Sequence, residues 1–106
     1  MSGTAKLDPV IEAFVDALNA QDTDQFYGVL TEDATMSDDG VERNLAQWTE
    51  AEIFSSNGHL VVDTVDSEDG LALTADYTNS RWGSMRTTWQ FVLRDGLISR
   101  FETGQA

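Results

Sequence analysis

The sequence predicts an α+β domain in which about three N-terminal helices cover one face of a curved antiparallel sheet. Three observations carry that prediction. Apolar residues recur at helical spacing in three stretches between Val10 and Phe54, apolar and polar residues alternate after Asn57-Gly58, and Asp69-Gly70 and Asp95-Gly96 supply tight hairpin turns between the later runs. Helices first and a meander afterward means segregated layers, with no strand–helix alternation to support a Rossmann-like sheet. The 106 residues suit one domain spanning 1–106, with no internal repeat or linker.

Asp8-Pro9 opens the first helix, because the Asp carboxyl caps backbone N–H groups and Pro9 stands where a missing N–H costs nothing. Val10, Ile11, Phe14 and Leu18 then form an apolar stripe. Asp22-Thr23-Asp24-Gln25 reads as a capping box ahead of Phe26, Val29 and Leu30, which predicts a short second helix forming a hairpin with the first. Ala34 to Ser37 is expected as a short strand, ended by the turn-prone Asp38-Asp39-Gly40. Asn44 caps a third helix running to about Phe54, with Leu45, Trp48 and Ile53 inward. Strands follow from Leu60 to Val65, Leu71 to Thr78, Met85 to Arg94 and Leu97 to Glu102, and the two Asp-Gly turns make neighbours antiparallel.

Composition narrows the function. Nineteen acidic residues against six basic ones give a net charge of −13, a field that repels phosphate backbones and anionic lipid headgroups alike. Nucleic acid and membrane surfaces are therefore not expected partners. The chain has no cysteine and one histidine, His59, which excludes disulfides, thiol nucleophiles and the usual zinc clusters. The acidic groups, among them Asp66-Ser67-Glu68-Asp69, lack the EF-hand pattern, so neither a metal nor a cofactor is expected. Met1 to Asp8 has no basic and apolar targeting pattern, and no run approaches the roughly 18 apolar residues of a membrane helix, so a cytoplasmic location is the expectation.

The stretch Asp16-Ala17-Leu18-Asn19-Ala20-Gln21-Asp22, then Leu30-Thr31-Glu32-Asp33-Ala34-Thr35-Met36, resembles the N-terminal signature of the nuclear transport factor 2-like superfamily. The ending Asp95-Gly96-Leu97-Ile98-Ser99-Arg100-Phe101-Glu102 agrees, and within the superfamily the sequence is most similar to bacterial ketosteroid isomerases and SnoaL-like polyketide cyclases. The resemblance implies a cystatin-like cone, in which the sheet curls around the helices over an apolar cavity, and a homodimer packed through the sheet. The segment between Asp38 and the third helix is short for this group, which implies a shallow or open cavity.

By the same resemblance, Asp38 stands where the isomerases keep their general base. A carboxylate at an apolar cavity mouth can move a proton between carbons next to a carbonyl, since partial desolvation raises its pKa. Asp38-Asp39-Gly40 is equally a common turn in which Asp bonds its own backbone, and both readings stand. The family's enolate donors, a helix tyrosine and a protonated strand aspartate, fall on Phe14 and Trp89 here. Phe14 has no donor and Trp89 only an indole N–H, which argues against steroid isomerisation, since losing one such donor costs about 3 kcal/mol of barrier. Tyr27, Tyr77 and Thr87 are further hydroxyl donors that the spacing does not place. His59 is expected in an exposed turn rather than paired with Asp38 or Asp63. Arg81 and Arg86 suit a carboxylate substrate or neighbouring acidic side chains.

The expected function is a domain binding a small, mostly apolar molecule in a cavity lined by Phe14, Leu18, Met36, Trp48, Trp89, Phe91 and Phe101, with Asp38 as general acid and base for isomerase- or cyclase-type proton transfer. The alternative is a non-enzymatic homodimerisation or interaction module whose aromatics fill the cavity. A dehydratase or cyclase using other polar residues is a third.

Overall fold

In the computed structural model, which describes residues 6–106, Asp8 accepts a hydrogen bond from the backbone N–H of Val10 at 2.9 Å and α1 runs Pro9–Ala20. The reading of the N-terminal segment as free of a targeting pattern falls largely on residues 1–5, outside the described residues. Gln21 ends the helix in the left-handed conformation, φ 56°. Asp22 caps α2, Thr23–Gly28, by accepting from the Gln25 N–H at 3.1 Å.

The signature around Asn19 has a structural purpose. Asn19 Nδ2 donates to the Leu60 carbonyl at 2.8 Å and its Oδ1 accepts from the Leu60 N–H at 2.7 Å, so the side chain satisfies a backbone position that has no strand beside it. Gln21 Nε2 donates to the Gly58 carbonyl at 2.9 Å. Together they rivet the end of α1 to the start of β3, His59–Val65, an edge strand.

Among the described residues, six strands form one sheet in the order β2-β1-β6-β5-β4-β3. The remaining strands are β1 Leu30–Asp38, β2 Val41–Arg43, β4 Ala72–Asn79, β5 Gly83–Arg94 and β6 Leu97–Gln105. The sheet is mixed rather than antiparallel, because β1 runs parallel to β6 while the other pairs are antiparallel. Nor are the helices all N-terminal: α3, Leu45–Thr49, follows β1 and β2. Leu30 belongs to β1 and not to α2, since its backbone pairs with Ile98 of β6, a long-range partner that outweighs local helical spacing.

Asn44 caps α3 by accepting from the Gln47 N–H at 3.0 Å, and the helix continues as one π-helical turn, Glu50–Phe54. Register shifts within the β1–β6, β3–β4 and β5–β6 pairs accompany the sheet's bending over the helices. Between the layers, Phe14 is fully buried with ring centroids 4.8 Å from Phe26, 5.1 Å from Phe91 and 5.4 Å from Phe101. Among the described residues no helix is long and apolar enough to cross a membrane.

Candidate functional site

Beyond the aromatic core, the open end of the curled sheet leaves a cleft of about 430 Å³, within the ordinary range for small-molecule sites. Strand alternation puts Tyr77 of β4, Met85, Thr87 and Trp89 of β5 and Thr103 of β6 on its floor. Trp48 of α3 and Glu52 of the π-turn stand on one wall, Asp38 and Arg43 of the β1–β2 hairpin on another, and Arg81 and Trp82 at the rim.

The three carboxylates of this cleft differ in how far they are committed. Glu52 has both oxygens occupied: Arg81 Nη1 donates to Oε1 at 3.2 Å and Trp82 Nε1 to Oε2 at 2.6 Å. Asp39, at φ 50° in the turn after β1, accepts from the Gln105 N–H at 2.9 Å and so ties the hairpin to β6. Asp38 is half-buried, and its Oδ2 accepts from Trp48 Nε1 at 3.0 Å, its single side-chain partner among the described residues. One oxygen is thus held by an indole while the other is uncommitted.

The neutral donors of Trp89, Thr87 and Tyr77 are spent internally. Trp89 Nε1 donates to Thr87 Oγ1 at 2.8 Å, and Thr87 Oγ1 donates to the Ala75 carbonyl at 3.2 Å. The Tyr77 hydroxyl donates to the Glu52 carbonyl, which also accepts from Asn79 Nδ2 at 3.0 Å. The π-turn makes this acceptor available, because widening the helix releases carbonyls from the i to i+4 pattern. Burial first, and then the charge of Glu52, push the Tyr77 phenol up to about 12. Among the described residues, Arg43 is the cation of this cleft that no carboxylate pairs with, and the Thr103 and Gln105 side chains line the cleft beside it. Among the described residues no group of three or more His, Asp or Glu could hold a metal ion.

No protein-family model matches the sequence, and no curated protein is recognisably similar to it. Solved structures are. A candidate polyketide cyclase from Sinorhizobium meliloti, 22% identical, superposes with a TM-score of 0.72 over 92% of this chain and 94% of its own. A nuclear transport factor 2-like protein of unknown function from Cytophaga hutchinsonii, 15% identical, gives 0.72 over 100% and 95%. The chain has the nuclear transport factor 2-like fold. A candidate ketosteroid isomerase from Kribbella flavida, 16% identical, shares it at a TM-score of 0.68, covering 92% of this chain and 75% of the other. At these identities the likeness extends to the fold and carries no chemistry.

Within this fold, Asp38, Trp48 and Trp89 come together at the cleft, whereas Phe14, Leu18, Met36, Phe91 and Phe101 lie beneath it in the packed core. Tyr27 bonds Thr49 Oγ1 at 2.6 Å, away from the cleft, and His59 is exposed on β3. Arg81 pairs with Glu52, and Arg86 with Asp63 and with Asp76 at 3.4 Å, on the outer sheet face. Sequence reasoning passed over Glu52 and Arg43. Glu52 reads as one more charge on an acidic helix, and nothing local signals a π-turn. Arg43 sits on a three-residue strand exposed along its length, with no apolar alternation to reveal it.

Proposed function

We propose that the cleft binds a compact ligand with an apolar body, and that Asp38 exchanges a proton with it as general acid and base, in isomerase- or cyclase-type chemistry at a carbon next to a carbonyl. The observation that carries this reading is the state of Asp38. Among the three cleft carboxylates it alone has an indole-anchored oxygen and an otherwise uncommitted carboxyl, in a cleft whose accessible apolar lining includes Met85 and Trp82. A base needs orientation and a free lone pair, and Trp48 supplies the first without consuming the second. The occupied hydroxyls and indoles argue against steroid isomerisation that relies on neutral donors at the oxyanion.

Proton exchange at the activated carbon of 2-tetralone in deuterated buffer, followed by NMR, tests the proposal. The protein is expected to accelerate exchange over buffer, and Asp38→Asn to lose about 100-fold or more of that acceleration while still binding the ketone. Equal acceleration by the Asp38→Asn variant would end the case for Asp38. A second reading is supported by the filled interior: with Phe14, Leu18, Met36 and Phe101 fully buried, much of the apolar space of the cone is occupied by side chains. In that reading the chain is a homodimerisation or interaction module. A native mass spectrum showing a dimer, together with no binding of 2-tetralone, would favour it.

A further inference from the structure

Among the described residues, the arginines of this acidic chain are almost all spoken for. Arg81 meets Glu52 at 3.2 Å, Arg86 meets Asp63 and Asp76, Arg94 meets Asp33 at 2.5 Å, and Arg100 meets Glu42 at 2.9 Å and Glu102 at 3.2 Å. Arg43 is the exception. Among the described residues it is the one arginine with neither an ion pair nor a side-chain hydrogen bond, although it sits next to Glu42 and near Asp38 and Asp39 in the chain. The reason is geometric. Glu42 is held by Arg100 through two hydrogen bonds, at 2.9 and 3.0 Å, Asp38 is turned to Trp48, and Asp39 to the backbone of Gln105.

The pairing of β1 with β2 places Arg43 opposite Met36, and directly opposed residues share a sheet face. Met36 is fully buried on the inner face, so Arg43 leaves the hairpin on that side and lines the cleft. Asp38, two residues beyond Met36, lies on the same face. The hairpin therefore presents an uncommitted guanidinium and an uncommitted carboxylate oxygen to one cleft floored by Trp89 and Tyr77.

We infer that Arg43 is an anion subsite, and that the ligand of the cleft is a small aromatic or conjugated carboxylate whose apolar body lies along Met85 and the exposed indole of Trp82, above Trp48 and Trp89, while its carboxylate meets the Arg43 fork. The inference rests on the cleft being a ligand site, as proposed above, and adds the class of ligand. A guanidinium matches a carboxylate in a two-bond geometry that a point charge does not reproduce. The net charge of −13 makes the idea discriminating, because the general field of the protein repels an anion and only a local cation can reverse that preference.

The test compares 2-naphthoate with 2-naphthalenemethanol, its neutral analogue, in NMR titrations of the full chain that follow the indole N–H signals of Trp48 and Trp89. The naphthoate is expected to bind about tenfold more tightly at 0.15 M salt. Arg43→Gln should abolish that preference and leave the affinity for the alcohol unchanged, while Arg43→Lys should retain part of it. Equal affinities in the parent protein, or a preference that survives Arg43→Gln, would overturn the anion subsite and leave the cleft as a site for neutral molecules. Failure of both probes to bind would remove the ligand-site reading and this inference with it.

Discussion

Raising the pH should destabilise this protein through Tyr77 in a way that Tyr77→Phe removes. The phenol is buried, 5% exposed, and is pushed from 10 up to about 12 by burial and by the Glu52 charge beside it. The folded state therefore favours the neutral phenol. Below pH 10 both folded and unfolded chains keep that proton, and the stabilisation is fully present. Between pH 10 and about 12 the unfolded chain releases the proton while the folded chain holds it, so stability falls with a slope of about 1.36 kcal/mol per pH unit. Over that window the loss reaches about 2.7 kcal/mol. Tyr77→Phe removes the titration but also one hydrogen bond to the Glu52 carbonyl, which keeps Asn79 as a donor, so at neutral pH the variant should be about 1 kcal/mol less stable. The two stability curves are then expected to cross between pH 10 and 12. Urea unfolding followed by circular dichroism across pH 8.5 to 12 measures both, and subtraction cancels every group the two chains share. Parallel curves would refute the reasoning, since they would mean that the Tyr77 hydroxyl titrates alike in folded and unfolded chains.

Gly58→Ala should destabilise the fold by about 2 kcal/mol or more, because its new methyl group would meet the Tyr77 hydroxyl and lie 2.9 Å from the Ile53 Cα, a backbone atom that cannot step aside; an unchanged melting temperature would contradict this. Asn19→Ala leaves the buried Leu60 backbone without its two side-chain partners and is expected to cost about 2 kcal/mol in urea unfolding, with faster amide exchange concentrated at the start of β3. Arg94→Gln should move the Asp33 carboxyl from about 2 back toward 3.8, since the Arg94 guanidinium, followed by the Thr31 hydroxyl, holds it down. A carbon-detected NMR titration reads that midpoint directly, and one that stays near 2 would assign the effect elsewhere.

Local chemistry in the sequence was enough for each helix start: Asp8, Asp22 and Asn44 cap the helices they precede, because a side-chain oxygen reaching an N–H two or three residues on is a short-range event. The Asp95-Gly96 turn and the alternation along β4 and β5 were legible for a similar reason, since one face of each strand is buried and the other solvated. The site was legible only in part. Asp38 stands out by its place after β1, but its anchor, Trp48, becomes recognisable as such only when α3 folds back over the hairpin.

The sequence by itself determined the three helix starts, the four later strands, the α+β layering, the acidic charge balance and the lack of thiol groups. Tertiary structure alone decided that β1 lies parallel to β6, that Trp48 and Trp89 wall the cleft while Phe14 and Phe101 fill the core, and that Glu52 is spent while Arg43 is not. The physical reason is range. Periodicity and capping record which face of an element is apolar and where it starts, whereas a strand's second neighbour and a charge's partner depend on chain segments brought together only by folding.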